Sequence, residues 1–134
     1  MNRKKVAATI GLIIIAIIVM FAYFKKKQTV EVLSLKGKLT FGQVIKIDTY
    51  NKSSLGVEYK YFIEGKQYVD YKSHPRIGGY LNASLRQRYF PVIYLEADPA
   101  ESSEILITPY DFELYNRAFP DSLKWVCEFV NCDK

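Results

Sequence analysis

Residues 6–24, "VAATIGLIIIAIIVMFAYF", contain no charged side chain. As an α-helix rising about 1.5 Å per residue, this run would extend roughly 28 Å, the thickness of a bilayer's hydrocarbon core. Eleven of its residues are Val, Ile, Leu or Phe, which together contribute about −3 to −7 kcal/mol of insertion free energy before Thr9, Gly11 and Tyr23 are set against it. A cleavable signal calls for a shorter apolar stretch and small residues at the cut. Here the run exits through Met20, Phe21, Ala22, Tyr23 and Phe24 into three lysines, with no A-x-A-like site. A lipoprotein signal would need a cysteine just after the run, and the cysteines are Cys127 and Cys132. The expectation is a retained, single-pass signal-anchor.

The formal net charge of +5 invites a nucleic-acid reading until the charges are placed along the chain. Arg3, Lys4, Lys5, Lys25, Lys26 and Lys27 are six of the 19 Lys and Arg, and no Asp or Glu precedes Glu31, which leaves 13 cations against 14 anions elsewhere. The basic excess therefore flanks the apolar run, so no nucleic-acid partner is expected. Lys25, Lys26 and Lys27 suit anionic lipid, at roughly 1 kcal/mol each near a membrane surface. Charge is nearly balanced across the run. The expected orientation places the short basic tail inside and the C-terminal domain on the extracytoplasmic side.

Four segments follow: a basic tail at 1–5, a transmembrane helix at 6–24, a basic flank and linker at 25–38, and a β-rich globular domain at 39–134 with a helical C-terminus. Ten of the eleven Tyr, six of the eight Phe and the Trp lie beyond the lysines, enough aromatic mass to build a core. "KLTFGQVIKIDTY" predicts a strand over about 40–49, closed by the turn-forming "NKSSLG". In "GVEYKYFIEGKQYVDYK", Val57, Tyr59, Tyr61 and Ile63 alternate onto one face. Val69 and Tyr71 share that face if Gly65 follows a type I turn in an odd-numbered loop, and take the opposite face if Glu64 and Gly65 form a two-residue turn.

Arg88–Leu95 reads as a strand in which Pro91 demands an edge or a bulge, and 105–107 as a short return strand. Thr108, Pro109 and Asp111 spell a helix start, with Phe112, Tyr115 and Phe119 at helical spacing and Pro120 as the stop. "DSLKWV" predicts a second helical turn that packs Leu123 with Trp125 or Val126. The fold class expected is one transmembrane helix plus a small, mainly-β domain, an antiparallel barrel or sandwich of about five strands, with a C-terminal helix.

The succession "FGQVIKI", "YKYFIEGKQY", "IGGYL" and "FPVIYLEADPAESSEIL" resembles a broad bacterial family of small membrane-anchored β-domain proteins of unknown function. The matching positions are Gly42 and Val44, Tyr59 and Tyr61, Gly65 and Lys66, Gly78, and Val92, Tyr94 and Pro99, spanning roughly residues 40–107. Many members carry a second membrane helix, and this chain has no further apolar run after residue 27. The resemblance implies an architecture and supplies no site.

Chemistry is sparse in the sequence. Any histidine-dependent triad would have to use His74, in "YKSHPRIGG", and neither a G-x-S-x-G elbow, an H-E-x-x-H pair nor a Walker loop occurs. His74, Arg76, Gly78 and Gly79 form the candidate ligand-binding site, since an arginine beside a glycine pair can build a backbone nest for an anion; the alternative is a plain turn. Arg86 and Arg88 near Tyr89 suggest a basic aromatic strip or a solvated strand face. Cys127 and Cys132 can form a disulfide if the chain turns at Val130 and Asn131 and the domain is exported, and stay thiols if it is cytoplasmic. They do not make a metal site with a distant His74. No cofactor is expected. The function expected is a non-enzymatic, membrane-anchored interaction module with a protein partner, the alternative being a small anion-binding or weakly catalytic site around His74.

Overall fold

The computed structural model describes residues 3–51, 54–74, 85–130 and 132. A single helix, α1 (Arg3–Lys36), runs without a break through the apolar segment and past it. Residues 25–36, expected as flank and linker, are therefore helical. Lys25–Lys27, Gln28, Glu31, Leu33, Leu35 and Lys36 are all strong helix formers, and the tertiary structure gives the helix something to hold. Leu33 is fully buried in the domain core, with Val30 packed one turn before it. So few anchors leave little periodicity for the sequence to display.

The helix stops at Gly37, whose N–H bonds the Leu33 carbonyl at 2.9 Å. A Cβ at Gly37 would lie 2.3 Å from that oxygen and 2.6 Å from Ile93, closer than any side chain tolerates. Glycine is thus required where α1 turns into the sheet.

Five strands follow: β1 (Lys38–Asn51), β2 (Ser54–Ile63), β3 (Lys66–His74), β4 (Tyr89–Tyr94) and β5 (Ser103–Ile105). All neighbouring pairs are antiparallel, in the order β3-β2-β1-β4-β5. The sheet curls into a half-barrel. Its inner face carries Val44, Tyr59, Tyr61, Phe90, Val92 and Ile105, all fully buried. A register shift between Val44 and Lys46 inserts Ile45 as an extra residue, so Val44 and Ile47 both point inward although three positions apart. Such a bulge bends its strand and steepens the twist, which drives the curl.

The β2–β3 turn decides the phase of β3. Ile63 pairs with Lys66, and Glu64 and Gly65 both take positive φ, 50° and 80°, as a two-residue type I′ turn requires. Val69 and Tyr71 therefore do not share the Tyr59 face. Tyr68 stacks on Tyr61 inside the half-barrel, with centroids 5.5 Å apart, and Asp70 and Lys72 follow on the same side, in register with Tyr59 and Val57.

Pro91 sits one position beyond the last β4–β5 pair, Val92 with Ile105. Its carbonyl accepts from Leu106 N–H at 2.8 Å. Contrary to the expectation of an edge or a bulge, β4 is an inner strand between β1 and β5, and its register with β1 runs unbroken through Pro91. Proline is tolerated because the β4–β5 pairs stop at Val92, so its missing N–H costs no ladder bond. The return strand is Ser103–Ile105, two residues earlier than expected, because Leu106 and Ile107 leave the sheet to fill the core.

The helix start at Thr108 forms as its residues dictate. α2 (Pro109–Leu114) has Thr108 as N-cap, Pro109 in the first turn and a capping box closed by Asp111. It ends at Leu114, before Phe119, which still meets Phe112 edge-on at 5.3 Å. A 3-10 helix, Asp121–Glu128, then buries Leu123 and Val126 and lays Trp125 against Phe90. Cys127 and Cys132 are joined by a disulfide, with Cα atoms 5.5 Å apart.

Candidate functional site

The two edge strands of the half-barrel, β3 and β5, meet through side chains. Ser103 Oγ donates to Asp70 Oδ2 at 2.7 Å and lies 3.1 Å from the Tyr59 hydroxyl. Lys72 forms an ion pair with Glu104. Burial holds the Lys72 ammonium below its ordinary pKa, partly offset by Asp111 and reinforced by Lys26. Burial also raises the Tyr59 phenol and pushes that of Tyr115 up to about 12, so both rings stay neutral at physiological pH.

Helix α1 crosses outside this seam. Lys26, Thr29 and Val30, at i, i+3 and i+4, present one face to the end of β3 and to α2. Together they enclose a cleft of about 670 Å³, which Tyr71, Lys72 and Ser73 enter from β3 and Tyr110, Leu114 and Tyr115 from α2. The walls are fastened: Ser34 Oγ reaches the Leu114 carbonyl at 3.4 Å, and Arg117 Nη2 donates to the Gly37 carbonyl at 2.8 Å. The Asp111 carboxylate, on the same wall, accepts from Ile107 and Thr108 N–H at 3.0 and 2.9 Å.

A second cleft, of about 520 Å³, lies at the opposite end of β3, between Lys38, Glu64, Lys66, Tyr68 and Tyr94. Its rim is self-neutralising, with Lys38 paired to Glu96 at 2.7 Å and the Lys66 ammonium 5.2 Å over the Tyr68 ring. The two clefts fix the direction of β3: its start lies level with Lys38, and its end level with Lys26, close to the apolar part of α1.

The convex face carries a third feature. Gly42 pairs with Tyr61, which brings Phe41 and Phe62 to neighbouring positions on the opposite side. Leu39 and Tyr89 extend the strip, and Phe41 and Tyr89 are 69% and 62% exposed.

Of the residues expected to form a site, His74 is the last of β3, in register with Leu55, one step beyond Ser73 of the larger cleft. Arg76, Gly78 and Gly79 lie outside the described residues. Arg86, Arg88 and Tyr89 are exposed, and the Arg88 guanidinium stacks 4.8 Å over the Trp125 ring. Sequence reasoning missed the cleft, whose walls come from residues 26–30, 71–73 and 104–115. The inward charges of β3 were its one local signal, and they become visible only once the turn at Gly65 is read as two residues. No family model, no curated protein and no solved structure matches this chain.

Proposed function

We propose that this chain is a single-pass membrane protein that presents a non-enzymatic binding domain at the membrane surface, on the extracytoplasmic side. One observation carries the reading. The apolar window of α1 has no buried residue, while the same unbroken helix buries Leu33 in the domain core. Nineteen contiguous uncharged residues left uncovered belong in hydrocarbon. Because α1 enters the domain as a helix, the domain rides on the anchor rather than swinging on a tether. Lys25, Lys26 and Lys27 then lie at the headgroups of anionic lipid.

The strip of Leu39, Phe41, Phe62 and Tyr89 supports a protein partner, since contiguous exposed apolar side chains with aromatic residues at their centre are the composition of a recognition surface. The sequence resemblance to small membrane-anchored β-domain proteins fits this picture. After an alkaline carbonate wash the protein is expected to stay with membranes and to keep its initial residues. A soluble mature form starting near residue 25 would refute the anchor.

A further inference from the structure

We infer that the cleft between α1 and the β3–β5 seam holds the phosphate headgroup of an anionic phospholipid from the adjoining leaflet. The inference rests on the anchored reading and adds a specific site to it. Position is the first argument. Lys26 is two residues beyond Phe24 and Val30 six, so they stand roughly 3 and 9 Å above the end of the apolar run, the depth of the phosphate layer.

Charge is the second argument. Glu104 is neutralised by Lys72, and the Asp111 carboxylate is turned to the N–H groups that open α2. Lys26 makes no ion pair among the described residues. The two lysines and two carboxylates of the cleft balance formally, and Lys26 is the cation among them that is left without an ion pair among the described residues, with Ser73 lining the same cleft as a hydroxyl donor.

Shape is the third. Val30, Leu114 and the Tyr115 ring form an apolar wall next to that cation. A free phosphate has nothing to bury there, whereas the glycerol and first methylenes of a lipid do, at about 25 cal/mol per Å² of apolar surface covered. Lys25 and Lys27 lie on the same helical turn without lining the cleft, which supplies an internal control. General attraction of a basic segment to an anionic surface treats the three lysines alike. A built site does not.

The test is native mass spectrometry of the full chain in detergent, with phosphatidylglycerol or phosphatidylcholine added, for the wild type and for Lys25→Gln, Lys26→Gln and Lys27→Gln. Wild type is expected to retain phosphatidylglycerol preferentially. Lys26→Gln is expected to lower that retention about tenfold, the scale of one charge-assisted contact, and Lys25→Gln and Lys27→Gln by less than about twofold. Leu114→Trp, which fills the cleft without changing charge, is expected to match Lys26→Gln.

Equal losses for the three lysine variants would overturn the site, as would equal retention of phosphatidylcholine. Displacement of the lipid by inorganic phosphate at matched concentration would overturn the lipid assignment. Release by carbonate would instead refute the anchor, so the two readings fail separately.

Discussion

Two backbone angles at the β2–β3 turn determine what half of β3 faces. With φ at 50° and 80°, Glu64 and Gly65 set a two-residue turn, and a one-residue change in that loop would exchange Tyr68, Asp70 and Lys72 for Val69 and Tyr71 on the inner face. Nothing lies within 4 Å of a Cβ placed on Gly65, so the constraint there is conformational and not steric crowding by neighbours. Gly65→Val is expected to cost about 1–2 kcal/mol, because a β-branched residue resists positive φ. Glu64→Asn is expected to act in the other direction, by a few tenths of a kcal/mol, since asparagine accepts the left-handed region more readily. Thermal melts of the detergent-solubilised chain decide it: an unchanged midpoint for Gly65→Val would remove the turn assignment, and with it the inward placement of Lys72.

Among the elements, α2 shows how far local chemistry reaches. Six residues make a helix too short to persist alone, yet Thr108, Pro109 and Asp111 fix its start, and Asp111 is only 6% exposed. Asp111→Ala would leave the Ile107 and Thr108 N–H groups without their carboxylate acceptor. At about 1–3 kcal/mol for each buried unsatisfied donor, the expected loss is about 2–4 kcal/mol. Asp111→Asn keeps one acceptor oxygen and is expected to recover about half. A chemical denaturation series checks the ranking, and equal midpoints for the Ala and Asn variants would show that the capping bonds are not what stabilises the corner.

That start was legible in the sequence because all its determinants lie within four residues, as was the strand alternation of Val57, Tyr59, Tyr61 and Ile63, whereas Pro91 misled, because β4 runs through it as an inner strand. Three features were not legible. The helical course of residues 25–36 depends on Leu33 finding a core that the rest of the chain builds. The inward placement of both Val44 and Ile47 depends on a bulge with no composition of its own. The cleft joins Lys26, Lys72 and Tyr110 across more than eighty positions, so no window of sequence contains it.

At the scale of the whole molecule, the proposed anchor and the disulfide bear on one question, the side of a membrane on which the domain would sit. The Cys127–Cys132 bridge spans a short terminal loop, and loop-closure entropy gives it about 2 kcal/mol at most. Reduction is therefore expected to leave the half-barrel folded, with its core of Tyr59, Phe90 and Val92 intact. The informative property is redox state. An extracytoplasmic domain meets an oxidising environment in which a disulfide persists, whereas a cytoplasmic one is held as two thiols by the glutathione and thioredoxin systems.

In intact cells, a membrane-impermeant thiol reagent is expected to label neither cysteine before reduction and both after treatment with an impermeant reductant. Because Cys127 and Cys132 are the chain's complete set of cysteines, no substitution is needed to make the readout specific. Labelling by a permeant reagent alone, with no reduction required, would place the domain in the cytoplasm. The lysine cluster and the cleft above Lys26 would then face the inner leaflet, with the same geometry relative to the lipid headgroups and the opposite set of available partners.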